Sequence, residues 1–147
     1  MKNPLPPTYF FGAIVLMGLL HLVVPLEPII PAAWRLTGIL PIAIGLVISV
    51  LADRQFKQRG TTVKPFEESR ALVTDGMFAF SRNPMYVGFV LVLVGLALCL
   101  GSITAFPVIP IFIAVMDFVF IRPEEKMLEQ TFGDAFNKYR KRVRRWI

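Results

Sequence analysis

From Met85 to Ile121 the chain runs for about 35 residues with Asp117 as its one charged side chain. A membrane-spanning helix takes about 20 apolar residues, so this stretch is too long for one crossing and right for two. The chain then has to reverse near Gly101-Ser102, which brings both ends of the hairpin to one side of the membrane. Each end carries a polar cluster: Arg82-Asn83-Pro84-Met85-Tyr86-Val87-Gly88 at the entry and Arg122-Pro123-Glu124-Glu125 at the exit. A site assembled at a membrane surface is the expectation.

Composition supports the membrane reading. Hydrophobic residues make up 55% of the 147 positions and the mean hydropathy is +0.62, above the balance of an ordinary soluble domain. Two further apolar segments precede the hairpin, about Tyr9 to Val24, closed by Pro25, and about Leu36 to Ala52, punctuated by Pro41. Strand-like alternation is nearly absent, and a backbone in lipid must satisfy its own polar groups, so helices follow. The expected fold is an all-α integral membrane protein forming one domain over residues 1–147. Its spans are placed at about 9–24, 36–52, 85–100 and 103–121, with a loop over 53–84 and an interfacial amphipathic helix over 123–147. Residues 9–24 follow a lone lysine as in a signal peptide, but no small-x-small cleavage site follows, and the segment is read as a retained span.

Charge placement orients the bundle. With four spans, Lys2, Arg54, Lys57, Arg59, Lys64, Arg70, Arg82 and every basic residue from Arg122 onward share one face, and Arg35 lies on the other. The positive-inside rule puts the basic face, both termini and both motif clusters in the cytoplasm, with a bacterial inner membrane as the expected location. A net charge of +6 raises the question of nucleic acid. The basic run from Lys138 to Arg145 is, however, interleaved with Leu128, Phe132, Phe136, Tyr139 and Val143 at spacings of three and four. That is an amphipathic helix with a basic face, expected to lie on anionic lipid, and nucleic acid is set aside.

The two clusters have chemical content of their own. Pro84 can begin a helix and forces Asn83 into an extended conformation, leaving the Arg82 and Asn83 side chains free at an elbow. Tyr86 falls on the first turn, where its ring can pack on a ligand, and Gly88 permits close approach. Glu124 and Glu125 project about 100° apart on a helix. One could accept hydrogen bonds from a ligand while the other orients a base such as Arg82. A plain helix start with interfacial Arg and Tyr, and a solvated acidic first turn, are the ordinary alternatives. Asp117 is an acid within a span and by default marks function; pairing with Arg122 or Arg82 would be the structural alternative. His21 and Cys99 read as packing residues, no disulfide is possible with one cysteine, and no residue is assigned to a metal. Gly38 with Gly45 and Gly88 with Gly95 read as helix-packing faces.

Taken together, Leu72-Val73-Thr74-Asp75-Gly76-Met77-Phe78, Ser81 through Gly88, Glu124-Glu125, Leu128, Phe132-Gly133, Phe136, Tyr139 and Val143 resemble the signature of the isoprenylcysteine carboxyl methyltransferase family. The likeness runs from about Thr61 to Trp146. That family and the related phospholipid methyltransferases share a small helical membrane fold using S-adenosylmethionine. The resemblance implies a cofactor pocket formed by Arg82, Asn83, Pro84, Tyr86, Gly88, Glu124 and Glu125, with Arg122 near the reacting centre. The isoprenylcysteine branch usually carries histidine where Asn83 and Arg70 stand. Asparagine keeps hydrogen bonding but removes a titrating imidazole.

Methyl transfer from a sulfonium is an in-line displacement, so alignment and exclusion of water matter more than an acid/base array. A carboxylate acceptor needs no deprotonation; a thiol or amine does, and Glu124, Glu125 and Asp117 are the candidate bases. No glycine-rich strand-turn-helix motif of the soluble cofactor-binding folds is present. The expected acceptor is a lipophilic or lipid-like molecule entering from the bilayer. Competing classes are a small four-helix transporter, which would place its acid in an early span where this chain has His21, and a sterol-reductase-like membrane enzyme using a nicotinamide.

Overall fold

A computed structural model describes residues 5–24, 28–58 and 72–147. Expectations that fall on Lys2, Pro25, Arg59, Lys64, Arg70 and the Thr61 edge of the family likeness lie outside the described residues. The described residues fold into α-helices α1 (Pro6–Val23), α2 (Ala32–Gln58), α3 (Pro84–Leu100), α4 (Ile103–Phe132) and α5 (Asp134–Arg142). No strand forms among them, in line with the all-α expectation. By length and composition α1, α2 and α4 are long and apolar enough to cross a membrane. At 17 residues α3 spans about 25 Å, a little short of a hydrocarbon core of about 30 Å.

Proline and glycine set the boundaries. Pro6 and Pro84 open α1 and α3, where a missing N–H costs nothing. Pro41 does not interrupt α2, because it stands at the start of the α-helical part Ile39–Gln58, behind a 3-10 turn over Leu36–Gly38. The second span therefore starts earlier than Leu36 and runs past Ala52, carrying Asp53, Phe56 and Lys57 beyond the apolar stretch. Gly101, at φ 68°, closes α3 in the left-handed conformation that the hairpin reversal demands.

The fourth span does not stop at Ile121. Its helix continues to Phe132, about 45 Å in all, so its polar final third lies beyond the hydrocarbon and the apolar part ends at Ile121. Between Met116 and Ile121 the helix widens to a π-turn, with the Arg122 N–H bonded to the Asp117 carbonyl five residues back. The wider turn accommodates Pro123, which cannot continue a regular ladder. The single interfacial helix expected over 123–147 is instead split at Gly133, at φ 48°, into the end of α4 and a separate α5.

Packing is tightest between α2 and α3. Gly38 faces Gly95 and Gly45 faces Gly88, each so close that a Cβ would run into backbone of the opposite helix. The glycine spacings thus mark helix contacts, as expected. On its other side α3 packs against α1 through stacked Phe10 and Phe89 rings at 4.5 Å. Met17, Leu93, Phe112, Met116 and Phe120 complete that core. Outward residues such as Phe11, Leu19, Leu40 and Val47 stay exposed, as on lipid-facing surfaces.

A second core lies at the motif-bearing end, from Ala52, Val73, Phe78, Phe136, Tyr139 and Val143, with Leu128 and Phe132 packed on it. The apolar stripe of the tail is therefore consumed by the protein's own elbow and α2. The exposed side of α5 is its basic face, Lys138, Arg140, Lys141 and Arg142.

Candidate functional site

The elbow before α3 is built by short-range bonds. Gly76 at φ 57° starts a 3-10 turn that buries Phe78, and the Asn83 N–H donates to Ser81 Oγ at 3.0 Å. Asn83 stands outside the helical region before Pro84, at φ −131° and ψ 56°, short of the fully extended conformation expected of it, and its carbonyl accepts the Val87 N–H at 3.1 Å to launch the helix. The C-terminal residues then tie the elbow down. The Arg82 N–H donates to the Arg144 carbonyl at 3.0 Å, and Asn83 Nδ2 donates to the Arg145 carbonyl at 2.9 Å. Tyr139 donates its hydroxyl to the Phe78 carbonyl at 2.7 Å, and burial pushes its pKa up to about 12.

A chain of charges joins the two clusters. Glu125 receives Arg82 Nη2 at 2.8 Å and a two-pronged contact from Arg145, Nε at 3.1 Å and Nη2 at 2.7 Å. The same Arg145 donates through Nη1 to Asp117 at 3.1 Å, and Arg122 Nε meets the other Asp117 oxygen at 2.7 Å. The Arg145 guanidinium is held even more firmly protonated than usual, first by its hydrogen bond to Glu125. Arg122 lies with its guanidinium 4.0 Å above the Phe118 ring.

Glu124 is left out of that chain. Among the described residues it has no hydrogen bond or ion pair, and it faces two adjoining cavities. Burial, with Glu125 next to it, pushes its pKa up to about 7. Arg82 also has a group in reserve: its side chain is 9% exposed, yet Nε is buried without a partner among the described residues. A buried unpaired donor is costly unless something else fills it.

The larger cavity holds about 210 Å³ and is walled by Leu5, Pro6 and Pro7 of the α1 start, by Asp53 and Phe56 of α2, and by the elbow with Tyr86 and Phe89. The smaller, about 40 Å³, runs under Val73, Glu125, Leu128 and Tyr139. Phe56, Phe78, Arg82, Asn83 and Glu124 belong to both, forming a shared wall. Asp53 is occupied by Lys57 at 2.6 Å, so Glu124 is the carboxylate free to meet a ligand.

Of the residues singled out in the sequence, Arg82, Asn83, Pro84, Tyr86 and Glu124 come together on the larger cavity, and Glu125 joins on the smaller. Gly88 does not line either; it abuts Gly45 and Ser49 and serves the helix contact. Asp117 and Arg122 line neither cavity; Asp117 is paired with Arg122 and with Arg145. Sequence reading missed Arg145, Phe56 and the α1 start. Arg145 was hidden within a basic run, and Phe56 lies past the hydropathic end of its span.

The phospholipid methyltransferase family model matches residues 34–135, most of the chain. A protein-S-isoprenylcysteine O-methyltransferase of Schizosaccharomyces pombe is 36% identical over 72 residues, 49% of this chain and 30% of the yeast protein. An uncharacterized protein of Haemophilus influenzae is 40% identical over 63 residues, 43% of this chain and the whole of that protein. The chain thus matches less than a third of the yeast enzyme's length. With its helical architecture and the motif residues gathered on one cavity wall, this chain belongs to the phospholipid methyltransferase family.

Proposed function

We propose that the chain is an S-adenosylmethionine-dependent methyltransferase acting on a lipophilic acceptor that reaches the site from the bilayer. The observation that carries the reading is Glu124, an uncompensated carboxylate on an aromatic-lined cavity wall made of the family's motif residues. The residues fit such a cofactor on independent grounds: a free carboxylate suits a cationic ligand, the orphaned Arg82 Nε–H suits an acceptor atom, and Tyr86, Phe56, Phe78 and Phe89 offer ring surface.

Bound there, the cofactor supplies an activated methyl on a positively charged sulfur. The chain's own work is to bind, align and keep water out. Glu125, held by two arginines, anchors the wall, and Asn83, pinned to the Arg145 carbonyl, holds the elbow in place. Glu124, with its pKa near neutrality, is also the group suited to take a proton from a thiol or amine acceptor; a carboxylate acceptor would leave it a purely electrostatic role.

The helix arrangement supports a lateral path for the acceptor. α1 and α2 flank opposite sides of α3 with little direct packing on each other, and the larger cavity lies between the start of one and the end of the other. A lipid-like molecule enters sideways there, past Leu5, Pro6 and Phe89. The motif-bearing end faces the cytoplasm of a bacterial inner membrane, by charge placement, where the exposed Lys138, Lys141, Arg142 and Arg144 face anionic headgroups.

Calorimetry with purified protein in detergent tests the core of this reading. S-adenosylmethionine binds the wild type, and Tyr86→Ala or Glu124→Gln proteins that remain folded lose at least about tenfold in affinity. Absence of wild-type binding would sink it. Labelled methyl transfer into a membrane extract identifies the acceptor, and a water-soluble product counts against lateral entry.

A further inference from the structure

Glu124 owes its direction to a residue that touches neither cavity. Adjacent residues on a helix point about 100° apart, so whatever fixes Glu125 also fixes where Glu124 points. Glu125 is gripped from two sides, by Arg82 from the elbow and by the Arg145 fork from the C-terminal segment. The third arm of Arg145 reaches Asp117. Residues eight apart on a regular α-helix are rotated by about 80°; here the π-turn at Met116–Ile121 intervenes, and one guanidinium spans both acids. The backbone of Arg145 is itself fixed, since its carbonyl accepts from Asn83 Nδ2 at 2.9 Å and Ser81 Oγ at 3.4 Å.

We propose that Arg145 is the positioning residue of the site: by holding Glu125 and Asp117 together it sets the rotation of the α4 end that turns Glu124 onto the cavity wall, and it neutralises the carboxylate beside Glu124. The proposal rests on the cavity being an S-adenosylmethionine site. It assigns a role to the C-terminal segment that neither charge pattern nor motif spacing implies, and it makes Glu125 a structural counterpart of Glu124 instead of a second ligand group.

The electrostatic consequence is specific. Glu124 is faced by Arg82 and Tyr86 from the elbow and α3, by Asp53 from α2, by Tyr139 from α5 and by Glu125 on its own helix. With Arg145 removed, Glu125 keeps Arg82 alone as counter-charge, and its repulsion of a charged Glu124 grows. Glu124 then ionises at higher pH, and the pH above which a cationic ligand binds well moves up.

S-adenosylmethionine titrated into the purified full chain across the neutral pH range reads both effects. Arg145→Gln is expected to weaken binding about tenfold at neutral pH and to move the midpoint of its pH dependence up by about one unit. Arg145→Lys restores the midpoint, because the charge returns, but not the full affinity, because the fork does not. A Glu125→Gln/Arg145→Gln protein binds no worse than Glu125→Gln alone, since Arg145 acts through Glu125. Lys141→Gln, on the exposed face of α5, binds as the wild type does. Wild-type affinity and pH profile in Arg145→Gln would overturn the proposal, as would additive losses in the double variant. Should Arg145→Gln fail to fold, an unshifted midpoint combined with full affinity in Arg145→Lys overturns it equally. A wild type that does not bind at all overturns the cofactor site itself, and this proposal with it.

Discussion

The two ends of α3 are held by arginines in contrasting ways. At the Gly101 end Arg35 donates through Nε to the Ile30 carbonyl at 3.1 Å and closes over the glycine turn, where Ile29 N–H also meets the Gly101 carbonyl at 2.9 Å. At the elbow end Arg82 is buried against Glu125 and the Arg140 carbonyl, yet among the described residues its Nε and the neighbouring Glu124 have no partner. Among the described residues buried polar atoms are left open toward both ends, His21 Nδ1 in the last turn of α1 and Arg82 Nε at the elbow, but the elbow's open groups lie beside a cavity. Open polar groups on a cavity wall favour reading the elbow as the ligand-binding end, because such groups cost stability unless a ligand meets them.

The contrast is broken most severely by separating the helices that carry it. Gly45→Val or Gly88→Val would drive a side chain into the facing helix, where backbone meets backbone. Loss of monodisperse protein on size exclusion is the expected result, the largest effect of any substitution considered. Next comes Glu125→Ala, which leaves Arg82 and Arg145 without the carboxylate they share. Stripping one partner from a largely buried pair costs about 3 kcal/mol. The thermal midpoint should fall by several degrees and cofactor affinity should fall with it.

Much of this contrast is legible in the residues alone. The apolar hairpin, the helix-packing glycines, the elbow at Asn83-Pro84 and the opposition of its Arg82 to the glutamate pair all follow from spacing and side-chain chemistry. What was not legible depends on tertiary geometry. A stripe such as Phe132, Phe136, Tyr139 and Val143 says that a helix face is covered and not by what; lipid and the protein's own elbow leave the same pattern. The pairing of Asp117 with Arg122 was among the sequence alternatives, but the π-turn between them is not announced by a 3.6-residue period. Arg145 looked like its neighbours Arg142 and Arg144, because reaching back to Glu125 is a matter of where Val143 to Ile147 lie.

Glu124→Gln sharpens the contrast in the other direction. The Glu124 pKa is raised from 4.5 to about 7 in the folded chain, so the folded state holds this proton more tightly than the unfolded state does. Its contribution to stability is complete below about pH 4.5 and is lost as pH rises through about 7. Glutamine carries no such penalty. Relative to the wild type, the ligand-free variant should gain a few degrees in thermal midpoint as pH is raised from about 5 to about 7 and hold that gain above. Stabilisation by added S-adenosylmethionine should at the same time disappear. A variant less stable than wild type at every pH would mean that Glu124 is bonded within the protein after all.

The smallest effect belongs to the Gly101 end. Arg35→Gln removes the donor to Ile30 and the guanidinium packed over Gly101, but the turn keeps its own Ile29 and Gly101 backbone bond. One hydrogen bond of this kind is worth about 1 kcal/mol. A drop of a few degrees in thermal midpoint is expected, with S-adenosylmethionine affinity unchanged, because the substitution lies a full helix length of about 25 Å from the elbow. A loss of affinity matching that of Arg145→Gln would show that the two ends move as one rigid unit, and that the open groups at the elbow are tuned by the whole bundle and not by the charges around Glu125.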